Sequence, residues 1–110
     1  LDFIAGLVSL AGSFMWIKQN NREIPVFQLK MHGQEKPLLK MVKSALRIKE
    51  KIYEYKKESR HYVLLLIRRQ STLEKVIIPS FERLLRGPKR ARFKKWRNKF
   101  FRMRLKLIKK

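Results

Sequence analysis

The side chains of this 110-residue chain that could do chemistry are unevenly distributed: its carboxylates are few and scattered, and its cations are many and clustered. Asp2, Glu23, Glu35, Glu50, Glu54, Glu58, Glu74 and Glu82 stand singly, so the sequence pairs no two of them for general acid–base work or for holding a divalent metal. His32 and His61 are far apart with no ligand pattern around them, and cysteine is absent, which excludes disulfides and zinc-finger spacing. No metal site and no cofactor site is readable. Ser9 and Ser13 have no neighbouring histidine to activate a nucleophile. What remains is the chemistry of cations. With 29 lysines and arginines against 8 acids, the formal net charge is +21, and such self-repulsion needs a polyanion to offset it. Nucleic acid is the expected partner. A hydrophobic content of 45%, with 11% aromatic, is enough for a core and excludes a disordered polycation.

The cations gain meaning from the elements that must position them. Hydrophobic periodicity predicts a helix over residues 1–11, strands over 13–19 and 24–32 joined by a turn at Asn20-Asn21-Arg22, and a helix over 35–47 with Leu38, Leu39, Val42, Ala45 and Leu46 on one stripe. Two further strands, 51–57 and 60–69, follow about a turn at Lys57-Glu58-Ser59. A helical segment over 72–85 is then expected to be interrupted at Pro79. The class is α+β, in the order αββαββα. Period two places Val26, Gln28, Lys30 and His32 on one face of the second strand and Phe27, Leu29 and Met31 on the other. In the third strand Lys51, Tyr53, Tyr55 and Lys57 share a face, with lysines placed to meet phosphates and tyrosines to stack on bases or sugars. The fourth, through Tyr62-Val63-Leu64-Leu65-Leu66-Ile67, is apolar on both faces and is expected to be buried, leaving Arg60, Arg68 and Arg69 at its ends. Lys18 and Arg22 flank a polar hairpin tip.

Beyond the break at Arg86-Gly87-Pro88 the chain contains no acid. Lys89, Arg90, Arg92, Lys94, Lys95, Arg97, Lys99, Arg102, Arg104 and Lys106 crowd this segment, while Phe93, Trp96, Phe100, Met103 and Leu107 recur at spacings of three and four. A basic amphipathic helix is expected, dividing the chain into a domain over 1–86 and an extension over 87–110. Phosphate neutralisation would relieve its repulsion, and membrane-surface or protein docking is the third reading of the same pattern. The apolar opening, Phe3 to Ile17, lacks a positive flank and is shorter than the roughly 20 residues of a membrane span, so no span is expected.

That opening carries a resemblance. Ile4-Ala5-Gly6-Leu7-Val8-Ser9-Leu10-Ala11-Gly12 resembles the signature of LAGLIDADG homing endonucleases, and Ile78-Pro79-Ser80-Phe81 with Lys94, Lys95 and Trp96 resembles their closing phrase. The resemblance implies one repeat of that family, with four antiparallel strands forming a saddle along nucleic acid and the polar strand faces above as the contact surface. It also implies that Ala5, Gly6 and Ser9 line a helix–helix interface with a second such helix, and that Gly12 takes a positive φ at a sharp exit turn. The family's metal-binding acid falls at Ala11, and the sixth motif position is Ser9.

Without that acid the chain is expected not to be an enzyme. Its expected role is a non-catalytic binder of nucleic acid, RNA favoured over DNA, as a ribosomal-RNA-binding component of a mitochondrial or chloroplast ribosome beside other ribosomal proteins. The alternative is half of a DNA-binding homing endonuclease or intron maturase acting as a dimer. The start at Leu1 without methionine fits a removed presequence or a lost first domain.

Overall fold

The first hairpin shows how locally the sheet is specified. Strands β1 (Gly12–Gln19) and β2 (Arg22–His32) are joined by Asn20 and Asn21 at φ 52° and 63°. This is the mirror-image turn whose twist suits a hairpin, and asparagine tolerates its left-handed backbone. Strands β3 (Ile52–Lys57) and β4 (Arg60–Ile67) are also joined by a two-residue turn, with positive φ only at Glu58 (54°). The computed structural model describes residues 2–108, with all side chains in that range except those of Asp2, Ala5, Leu10, Leu107 and Ile108.

The two hairpins join into one antiparallel sheet of order β1-β2-β4-β3, with Phe27 opposite Ile67 and His32 opposite Tyr62 across the central seam. Period two then divides the side chains. Phe14, Phe27, Leu29, Met31, Val63, Leu65 and Ile67 share the face on which every helix packs. These helices are α1 (Asp2–Ala11), α2 (Lys36–Ala45), the short α3 (Gln70–Thr72) running through a π turn at Leu73–Ile77 into α4 (Ile78–Leu84), and α5 (Gly87–Ile108). The α+β class and the αββαββα order expected from the sequence are those of the molecule, and the four-stranded sheet is antiparallel throughout.

One apolar cluster holds the layers together. Ile4 and Val8 from α1, Leu39 and Val42 from α2, Leu73, Ile77 and Phe81 from the α3–α4 segment, and Phe93, Trp96 and Phe100 from α5 are all buried in it. The basic C-terminal helix therefore shares its core with the rest of the chain. Pro79 does not interrupt the α3–α4 helix as the sequence suggested. It sits in the first turn of α4, and the wider π turn immediately before it absorbs the hydrogen bond that proline cannot make. Helix α2 ends in a Schellman motif, in which Arg47 at φ 56° donates to Ser44 O and Ile48 N donates to Lys43 O.

Gly12 corrects another expectation. Its φ is not positive, and the need for glycine is steric: a Cβ there would stand 2.8 Å from both Val8 Cγ1 and Val8 O. Strand β1 leaves α1 so closely that the helix's own carbonyl fills the space. Gly12→Ala should therefore destabilise the fold by about 1–3 kcal/mol, as overpacking does. Gly6→Ala should not, because nothing lies within 4 Å of its would-be Cβ. Paired urea denaturation curves check the contrast, and equal midpoints for the two variants would refute the steric account.

Candidate nucleic-acid interface

The face of the sheet turned away from the helices is built from the other half of each strand. By register it carries Arg22, Gln28, Lys30 and His32 from β2, Tyr53, Tyr55 and Lys57 from β3, Arg60, Tyr62, Leu64 and Leu66 from β4, and Ser13, Met15, Ile17 and Gln19 from β1. No acid stands at any of these strand positions. The two acids that the strands do contain, Glu23 opposite Lys18 and Glu54 opposite Val63, fall on the helix side. Each is paired there, Glu23 with Lys99 of α5, and Glu54 with Lys36 Nζ and His61 Nε2, both at 2.7 Å. The hydrogen bond from Lys36, followed by that with His61, holds the Glu54 carboxyl down to about 2. Alternation thus keeps both strand carboxylates off the open face.

Its aromatic groups are already arranged. Tyr55 and Tyr62 stack with ring centroids 4.9 Å apart, Lys30 Nζ lies 4.3 Å above the Tyr62 ring, and Lys51 Nζ lies 5.9 Å from the Tyr53 ring. Tyr53, Tyr55, Leu66, Arg68 and Arg69 line a depression of about 370 Å³, to which Glu50 also contributes. The sequence-predicted residues Gln28, Lys30, His32, Lys51, Tyr53, Tyr55, Lys57, Arg68 and Arg69 are brought to this side or its margin, with Arg22 at the hairpin end. Lys18 has the helix-side parity of Trp16. The expectation that β4 is buried on both faces is corrected. Val63, Leu65 and Ile67 are buried, whereas Tyr62, Leu64 and Leu66 remain half-exposed on the open face, because only one side of the sheet is covered by helices. Arg60 and Tyr62, two apart and polar, were the signal for this.

The cations of α5 lie elsewhere. Phe14 on the helix face of β1 contacts Phe93 and Trp96, with centroids 5.1 and 5.3 Å away, and Trp96 Nε1 donates to Met15 O at 3.0 Å, so α5 is docked behind the sheet. Several of its cations have internal partners. Lys89 donates to Gly12 O, Arg90 to Glu82 O and Leu85 O, Arg97 pairs with Glu82, and Arg104 pairs with Glu74 at 3.1 Å. The counter-charge missing from the local sequence is supplied by tertiary neighbours. Arg92, Lys94, Lys95, Arg102 and Lys106 are exposed, with no ion pair or hydrogen bond among the described residues.

At the end of α1, Ala11 is half-buried against the core and offers no ligand atom. Among the described residues no group of three or more histidines or acids is placed to hold a metal ion. Phe3, Gly6 and Ser9 are exposed along one strip of α1, while the side chain of Ala5 lies outside the described residues. No described helix is long and apolar enough to cross a membrane.

Residues 4–100 match the family model described as LAGLIDADG endonuclease. In fold, 96% of the chain aligns with the LAGLIDADG meganuclease I-CpaMI bound to uncleaved DNA at 27% identity and a TM-score of 0.82. It aligns over the same share with the homing endonuclease I-LtrWI bound to target DNA (25%, 0.84) and the meganuclease I-SmaMI bound to uncleaveable DNA (25%, 0.80). The chain spans 37% of the length of each. No curated protein matches it significantly. These matches correct the expectation that the chain is not an enzyme: the proteins it resembles are endonucleases, and an alanine at one motif position of a chain spanning 37% of their length is no evidence that activity is lost.

The Glu54 cluster has a pH signature. Because its carboxyl is held below the ordinary value of 4.5, down to about 2, the stability it contributes is complete above pH 4.5 and is lost as pH falls from there toward 2. Glu54→Gln should flatten that part of the stability profile, measured by thermal unfolding from pH 2 to 7. Parallel wild-type and variant profiles below pH 4.5 would show that the cluster does not act.

Proposed function

This chain belongs to the LAGLIDADG endonuclease family, and on that premise we propose that it is a DNA-binding repeat of a site-specific endonuclease, with the open face of its sheet laid along the duplex. The observation that carries this reading is the sorting of charge across the sheet: Glu23 and Glu54 are paired on the helix side, and no acid stands at the open-face strand positions. The DNA-bound states of the meganucleases it matches support the choice of partner. The ribosomal RNA-binding role rests on the absent motif acid and on the basic, partly aromatic C-terminal segment, and phosphate neutralisation does not distinguish RNA from DNA.

Lys30, Lys57 and Arg60 would neutralise phosphates and fix the register of the sheet on the duplex, since such contacts position without specifying sequence. Gln28, two residues before Lys30 on the same face of β2, carries a carboxamide able to pair bidentately with an adenine edge in the major groove. The Tyr55–Tyr62 stack and the Lys30 ammonium above it hold their side chains in place before DNA arrives, which lowers the ordering cost of binding. The exposed strip Phe3, Gly6 and Ser9 of α1 would pack against the matching helix of a second repeat, close approach being allowed at glycine. Cleavage by metal-held carboxylates would then draw on acids from that second repeat, because Ala11 supplies none.

Two measurements test the parts separately. The double variant Lys30→Gln, Arg60→Gln should lower the slope of log K against log salt by about 1.8 for a DNA duplex followed by fluorescence anisotropy, at about 0.9 for each phosphate that is no longer neutralised. An unchanged slope would place the duplex on another surface. Gly6→Leu should leave the isolated fold at least as stable, since leucine favours helix over glycine by close to 1 kcal/mol, while weakening association with a second repeat in sedimentation equilibrium. Undiminished association would exclude α1 as the pairing helix.

A further inference from the structure

We propose that α5 carries a second phosphate-binding surface, on the opposite side of the sheet from the first, through which the chain holds a second segment of duplex nucleic acid. This goes beyond the open-face reading but rests on it for the first duplex. Phe93, Trp96 and Phe100 are buried against the helix side of β1, so α5 lies behind the sheet, away from any duplex on the open face. Arg92, Lys95, Lys99, Arg102 and Lys106 are spaced three, four, three and four residues apart, which stacks them in one row along the flank of α5 that runs beside the first hairpin. At 1.5 Å per residue the row runs about 21 Å. Lys99 is paired with Glu23, and the other four are exposed without a partner among the described residues. Like charges at this spacing repel one another, so the row is unfavourable until an anion lies along it.

The row borders a cleft of about 720 Å³ between α5 and the β1–β2 hairpin. Arg22, which by strand parity belongs to the open face, also lines this cleft at the hairpin end, and Trp16 forms part of its wall under Lys99, whose ammonium lies 4.6 Å from the indole ring. The Trp16 Nε1 atom is buried with no hydrogen-bond partner. Glu23, the acid in the lining, is neutralised by Lys99. Cations on both sides of a groove and an aromatic wall suit a phosphate backbone. A lipid surface fits less well, because the apolar stripe that an interfacial helix would insert is in the core, and only Phe101 and Leu105 of the described α5 side chains are large, apolar and exposed.

The test is a bridging assay with an immobilised DNA duplex and a second, fluorescent duplex, run in the Gly6→Leu background so that paired copies do not mimic bridging. The chain should retain the fluorescent duplex at low salt. The fourfold variant Arg92→Gln, Lys95→Gln, Arg102→Gln, Lys106→Gln should still bind the immobilised duplex but lose the bridge, with circular dichroism confirming the helix. The single variant Arg102→Glu should weaken bridging in the same direction. Bridging that survives the fourfold variant, or none by the parent, overturns the inference. So does capture of phosphatidylserine vesicles through the row without capture of the second duplex. Loss of immobilised-duplex binding on Lys30→Gln, Arg60→Gln alone tests the open face and leaves this surface to be judged by the fourfold variant.

Discussion

The ring of Phe14 is the contact on which the rest of the molecule depends. Its centroid lies 5.1–6.1 Å from those of Phe93, Phe27, Trp96 and Phe81, so one side chain joins β1, β2, α4 and α5. Such aromatic pairs contribute about 0.5–1.5 kcal/mol each beyond the area they bury. The larger consequence is geometric. With Phe14 committed to the helix layer, period two commits Trp16 to the same side and Ser13, Met15 and Ile17 to the other, and the paired strands follow through their register. A slip by one residue would bury Lys30 and expose Phe27. The chemistry of the open face is thus fixed by the packing of the covered one.

The same alternation governs electrostatics. A chain of formal charge +21 has few acids with which to hold itself together, and it places them where they join elements. Glu54 links β3 to the start of α2 and to β4, Glu23 links the first hairpin to α5, and Glu74 and Glu82 link the α3–α4 segment to α5. These pairs are at least partly solvated, and each is worth little by itself. Their effect is to segregate charge: these four carboxylates are drawn to the helix side, and cations without a partner among the described residues remain on the open sheet face and along α5.

Much of the architecture was legible in the residues. The Asn20-Asn21 turn, the alternation through β2 and β3, and the apolar stripes of α2 and α5 each follow from local rules, and the signature over Ile4 to Gly12 fixed the family. Features that depend on two segments meeting were not legible. Gly12 is required by the carbonyl of Val8 and not by its own φ, Pro79 is tolerated because a π turn forms ahead of it, and β4 is covered on one face only because every helix packs on the other. A missing acid at Ala11 was also too local an observation to decide whether the protein is an enzyme.

By itself the sequence determined the order of elements, the pairing of strands within each hairpin and the surplus of cations, because these depend on period, turn chemistry and composition. The tertiary structure decided which of those cations are available. Lys89, Arg90, Arg97 and Arg104 look the same as Arg92, Lys95, Arg102 and Lys106 in the chain, and they differ only in the carbonyls and carboxylates that packing brings within reach. A hydrogen bond has a range of about 3 Å, and no pattern along the sequence fixes a distance that short between residues as far apart as Gly12 and Lys89.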